Sequence, residues 1–236
     1  MAGLRKNIHF WGRSIIYISI FSKECNMGLD MSLYACRSMV FENDSIFDEI
    51  KKFITIPFPN ATLNNIQVEV MSWRKANAIH NWFINNCTNG VKYQPIEKLR
   101  DEFLDMCNEA YLPDYCEWCY PTQVFIGQLV KLRDICKEVL DHSELVPAKI
   151  IDSYTYQLSP SGVLVEKANM VDGYVILDPT FARKHLPTID GFFFGSTDYN
   201  QWYYEYVKYT YDGLNIILSI DPTELRNWNF LYEAIW

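Results

Sequence analysis

The chain reads as an α+β fold, a mostly antiparallel or mixed sheet packed with four to five helices. Three observations carry that reading. Helical apolar periodicity runs together in the middle of the chain, while strand-like alternation clusters after residue 148, an order that favours α+β over alternating α/β. Hydrophobic residues make up 49% of the 236, enough to bury a sizeable core. No Gly/Ser or Pro-rich linker and no internal repeat interrupts the chain, so residues 27–236 are expected to form one domain.

Taken in order, residues 14–21 are β-branched and aromatic and read as a strand, and Gly28 to Phe41 as another. Asn43, Asp44 and Ser45 offer caps to a helix with Ile46, Phe47, Ile50, Phe53 and Ile54 at helical spacing, ended by Pro57 and Pro59. Ile66, Val68 and Val70 alternate with Gln67 and Glu69, which marks a half-buried strand. Ser72 is expected to cap a helix over 73–86, closed by Gly90. Pro95 opens a further helix carrying Ile96, Leu99, Phe103 and Cys107. A loop with proline and cysteines leads to a helix over 122–141. Strand signals then fall at 148–157, 162–167 and 173–177, with turns expected at 159–162 and at Asp172-Gly173. A long helix over 198–218 and a short helical stretch after Pro222 complete the chain.

Composition excludes several functions. A net charge of −8 argues against nonspecific DNA binding, which needs a basic stripe for the phosphates. The acids, among them Asp48, Glu49, Glu97, Asp101, Glu102 and Asp105, are scattered as on solvated helix faces, and neighbours such as Asp101-Glu102 point apart on a helix. They suit neither a shared metal nor a glycosidase pair. Seven cysteines without regular spacing do not form a secreted disulfide framework, and they point to a reducing compartment. The lone C-x-x-C, Cys116 to Cys119, has no second ligand pair for zinc and reads as loop cysteines. No metal and no cofactor is expected. The strongest apolar run, Ile15 to Phe21, is too short to cross a bilayer, and Lys23-Glu24-Cys25 follows it where a signal peptide would carry small residues. No membrane association is expected.

Four segments carry a resemblance. They are Met27-Gly-Leu-Asp-Met-Ser-Leu-Tyr-Ala35, Trp73-Arg-Lys-Ala-Asn-Ala-Ile-His-Asn-Trp-Phe83, Leu186-Pro-Thr-Ile-Asp-Gly-Phe-Phe-Phe-Gly-Ser-Thr-Asp-Tyr-Asn-Gln-Trp-Tyr203, and Trp228-Asn-Phe-Leu-Tyr232. Together they resemble a family of small proteins of tailed bacteriophages. The resemblance implies a phage accessory protein in the cytoplasm of the infected bacterial host, and it brings no defined activity. A kinase-like role finds no support, because no G-x-x-x-x-G-K-[ST] phosphate loop is present. The family's chains begin at the Met-Gly-Leu-Asp-Met segment, which starts here at Met27, so residues 1–26 are expected to be upstream translation from a mis-assigned start, with a genuine extension as the alternative.

The helix expected over 73–86 is the most informative segment for chemistry. Trp73, Ala76, Ile79, Phe83 and Ile84 define an apolar arc, with His80 inside it, Asn77 at its edge and Arg74 towards solvent. A histidine in that position reads as a core residue with one hydrogen bond, or, with Asn77, as a polar notch in a pocket wall. No serine or cysteine can be paired with it as a nucleophile. Gly191 to Tyr199 leads into the long helix, where Ser196, Thr197 or Asp198 can cap, or free N–H groups can hold an anion. On that helix Trp202, Tyr206, Tyr209, Leu214 and Ile217 face one way. Tyr204, Glu205, Lys208, Tyr211, Asp212 and Asn215 face the other, with Lys208 and Asp212 spaced as an exposed pair. Aromatic residues are 16% of the chain, and the surplus of tyrosine on this helix suits a protein interface.

The candidate binding residues are therefore Arg74, Asn77, His80, Thr197, Asp198, Trp202 and Tyr203. The reading favoured is a protein that works by binding a host or phage protein, including a host defence component. The alternative is an enzyme or sponge for a nucleotide-like ligand in an aromatic-walled pocket of Asn77, His80 and Trp202. Removing residues 1–26 is expected to leave a cooperative melting transition in place. A truncated chain whose transition collapses would contradict the mis-assigned start.

Overall fold

The computed structural model describes residues 10–11, 15–16, 28–38, 46, 50, 65–87, 118–158, 164–191 and 194–235. Two short strands, β1 (Phe10–Trp11) and β2 (Ile15–Ile16), pair antiparallel. The main sheet is built from β3 (Asp30–Ser38), β4 (Asn65–Arg74), β5 (Trp118–Val124) and β8 (Asn229–Ile235), in the order β4-β3-β8-β5 and antiparallel throughout. β6 (Leu145–Leu158) and β7 (Leu164–Ile176) form a long two-stranded ribbon. The helices are α1 (Asn77–Cys87), α2 (Ile126–Asp141), α3 (Thr180–His185), α4 (Gln201–Leu218) and α5 (Pro222–Leu225). This is a compact α+β fold with antiparallel sheets.

Period-two burial makes the sheet one-sided. Cross-strand partners share a face, and on one face Trp73, Met31 and Ala234 stand in register, as do Met71, Leu33 and Tyr232. Ala35, Phe230 and Val124 extend the same face, and all nine side chains are buried. α1 covers this face through Phe83, whose ring stacks on Tyr232 at 4.0 Å. α4 covers it through Thr210, which accepts a hydrogen bond from the Trp73 indole N–H at 2.9 Å. α2 packs against α4, burying Leu129, Leu132, Cys136 and Val139. The opposite face is polar: Ser32 Oγ donates to Glu69 Oε2 at 2.7 Å, and partial burial pushes the Tyr34 hydroxyl up to about 12.

Several boundaries differ from the sequence reading. β4 runs through Ser72 and Trp73 to Arg74, so Ser72 caps nothing and Trp73 belongs to a strand. The chain turns at Lys75, held in a left-handed conformation (φ 59°) while its N–H donates to the Leu29 carbonyl at 2.7 Å. α2 starts at Ile126 rather than 122, because the Gln128 side chain reaches back to the Phe125 N–H at 2.7 Å. The residues before it form β5, so Cys119 lies in a strand and not in a loop. Pro121 is accommodated where the register with β8 shifts between Cys119 and Thr122, on a strand at the sheet edge among the described residues.

Asp172-Gly173 is no turn. Ala148 opposes Gly173 and Lys149 opposes Asp172 within one continuous β7, with an ion pair at 2.8 Å between the charged partners. The glycine answers a close approach: a Cβ there would lie 2.5 Å from Ile150 Cδ1 and 2.9 Å from Gln201 Oε1. After α5, capped by Asp221 through the Thr223 N–H at 2.8 Å, the segment 229–235 is a central strand that the sequence reading missed. The expected helix carrying Ile46 and Ile50 is described only at those two residues, both helical. The helix expected after Pro95, the closing Gly90, Cys116 and most of residues 1–26 lie outside the described residues.

Candidate functional site

The polar residues singled out on α1 are structural. His80 is fully buried; its Nδ1 lies 2.7 Å from the Tyr232 hydroxyl and its ring meets Phe194 edge-on at 5.2 Å. Burial holds the imidazole down, to about 4. Asn77 is buried too, and its Nδ2 donates to the carbonyls of Phe194 (3.3 Å) and Ser196 (2.9 Å). The two residues seat the 194–196 segment on α1, and neither lines the groove described below. Thr197 is exposed, and its carbonyl accepts from Thr188 Oγ1 at 3.1 Å. Asp198 is exposed and does not cap α4; its N–H donates to Ser196 Oγ at 3.0 Å.

The cap of α4 is Asn200. Its Oδ1 accepts from the N–H groups of Trp202 (2.9 Å) and Tyr203 (3.5 Å), so the donors that would receive an anion are already taken. Its Nδ2 is buried without a partner among the described residues. Tyr203 points inward, and its hydroxyl donates to the Leu186 carbonyl at 2.9 Å.

The buried arc of α4 is Tyr203, Val207, Thr210, Leu214 and Ile217. Leu214 and Ile217 stand where the sequence reading grouped them. Trp202 and Tyr209 do not: they sit on a stripe roughly 100° round the helix from that arc and are 41% and 47% exposed. Ile216, one heptad beyond Tyr209, is 71% exposed on the same stripe. Tyr211, placed on the polar side, packs against the core instead. Lys208 and Asp212 do lie exposed on the polar side, Lys208 Nζ 2.5 Å from Asp212 Oδ2, whereas Glu205 stands beside Tyr209 and not opposite it.

Beside this stripe runs an open groove of about 350 Å³, lined by Ser72, Trp73 and Arg74 of β4 and by Glu205, Tyr206 and Tyr209 of α4. Its geometry follows from the bond between Trp73 and Thr210, which draws α4 along β4, the other edge strand among the described residues. The Trp73 and Tyr209 rings stand nearly perpendicular (88°) with centroids 6.4 Å apart. The Arg74 guanidinium lies over Gly28, where an added Cβ would be 3.5 Å from Nη2. Burial pushes the Tyr206 hydroxyl up, Glu205 adds to that and Arg74 opposes it, so both charges reach the groove. Among the described residues no group of three or more His, Cys, Asp or Glu is arranged to hold a metal ion.

Of the candidate residues, the structure brings only Arg74 to this groove, with Trp202 exposed along the same helix. Trp73, Glu205, Tyr206 and Tyr209 are additions. The recurrence of aromatics at 202, 206 and 209 was the available signal. It was obscured because Tyr206 lies between the exposed stripe and the buried arc and joined them into one apparent face with Leu214 and Ile217.

Buried, neutral His80 makes stability depend on pH. An unfolded histidine takes up its proton near pH 6.5, whereas the folded one resists until about 4. Between those values the unfolded chain binds more protons, so stability falls as pH drops through this window. The expected loss between pH 7 and pH 4 from this residue is roughly 3 kcal/mol. Urea unfolding at several pH values measures it, and His80→Asn should flatten the slope. An unchanged slope in that variant would show that other groups set the acid sensitivity.

No family model matches the sequence, and no curated protein or solved structure shows significant similarity to the chain.

Proposed function

We propose that the protein works by binding another protein, of the bacterial host or of the phage, through the aromatic stripe of α4 and the groove beside β4. The observation that carries this is the exposure of Trp202 and Tyr209 on a helix whose core-facing arc is complete without them. Tryptophan, tyrosine and arginine dominate the energetics of protein interfaces, because large rings bring buried area at low entropic cost and guanidinium groups bring planar hydrogen bonding. All three residue types meet here, in Trp202, Tyr206, Tyr209 and Arg74. The groove is open, which suits a protein surface better than the enclosure of a small ligand. Countering a host defence component is one role such a surface would serve. Among the described residues no helix is long and apolar enough to cross a membrane.

The test is affinity purification of the tagged protein from infected bacterial cells, with mass spectrometry of the proteins and small molecules that accompany it. The expected result is a stoichiometric protein partner that is lost from the Trp202→Ala, Tyr209→Ala double variant while its melting transition is kept. Undiminished recovery by the variant, or a co-purifying nucleotide with no protein partner, would contradict the reading.

A further inference from the structure

We infer that the groove receives a cationic side chain, the lysine ammonium or arginine guanidinium of a basic segment in the partner. This rests on the reading of the groove as a protein-binding surface and gives that partner a chemistry. Three rings, one carboxylate and one guanidinium line the same space, with Ser72 between them: Trp73, Tyr206, Tyr209, Glu205 and Arg74. Tyr209, 47% exposed, offers its ring to the groove with Tyr206 beside it, and the buried Trp73, perpendicular to Tyr209, closes the floor. Aromatic faces carry negative quadrupole density, so a cation set among several of them is attracted more strongly as water is displaced.

Glu205 supplies the counter-charge. It makes no ion pair among the described residues, and Lys208, the cation one turn along the helix, is held by Asp212 at 2.5 Å. The whole chain, at −8, attracts a basic partner at long range. Arg74 sets the orientation. Its guanidinium lies over Gly28 at the strand end, so a bound segment places its cation on the Glu205 side and a carbonyl or carboxylate towards Arg74. A purely anionic ligand would be drawn by Arg74 but repelled by Glu205, and it would gain nothing from the rings.

The probe is Nα-acetyl-arginine amide, titrated into the full chain and followed by the NMR signal of the Trp73 indole N–H. Nα-acetyl-glutamine amide serves as the neutral control. The expected result is a saturable shift with the cation alone, weakened about two- to fivefold by Glu205→Gln. Glu205 is exposed, so the substitution leaves the core untouched. No shift, or equal shifts with the neutral control, overturns the inference. The partner assay separates the two readings. If Glu205→Gln leaves capture of the protein partner unchanged while the Trp202→Ala, Tyr209→Ala variant loses it, the cation inference falls and protein binding stands. Loss of capture with Glu205→Gln supports both.

Discussion

One hydrogen bond fixes the relation between the long helix and the sheet. The Trp73 indole N–H, buried at the end of an edge strand, has its acceptor in Thr210 Oγ1 at 2.9 Å, and that hydroxyl donates in turn to the Tyr206 carbonyl at 2.7 Å. Leaving either buried group unpaired would cost about 1–3 kcal/mol, so the pair orients as well as stabilises. It turns Tyr203, Val207, Leu214 and Ile217 inward and leaves Trp202 and Tyr209 outward. Gly213 lets the helix come close, since a Cβ there would sit 2.4 Å from Met71 Cε. The groove is a by-product of this alignment. Its floor is the same tryptophan that anchors the helix.

A second constraint closes the other side of the core. Tyr232, in the central strand β8, stacks on Phe83 and lies within hydrogen-bond distance of His80. β8 sits between β3 and β5, so a strand from the end of the chain pairs with one from near its beginning. Pairing at such separation makes the sheet incomplete until the final residues are in place. It also explains why His80 is neutral and committed to the core. A histidine that donates to or accepts from a buried tyrosine, under the edge of Phe194, has no face left for a ligand.

The fold class was legible in the sequence because alternation and helical periodicity are local. β4, β6 and α4 all stood out on that basis. What escaped was decided by contacts between distant segments. Trp73 looked helical since Ala76, Ile79 and Phe83 follow it at helical spacing, yet the left-handed Lys75 separates strand from helix. Gly173 resembled a turn glycine, although its role is to admit Ile150 and Gln201. β8 was hidden because its pairing partners are more than a hundred residues away in sequence. Of the residues beside the groove, the sequence reading had already named Arg74 and Trp202. Tyr209 and Glu205 needed the position of β4, which no helical projection contains.

The protein also exposes apolar side chains on its ribbon, where Tyr154, Met170 and Tyr174 are each about half exposed. The decisive measurement therefore compares the two surfaces directly. A photo-reactive phenylalanine analogue is placed at Trp202 or Tyr209, and separately at Tyr154 or Met170, and the protein is irradiated in infected cells. The account predicts that the α4 positions cross-link to one protein species and that the ribbon positions do not. Cross-linking confined to the ribbon would contradict it.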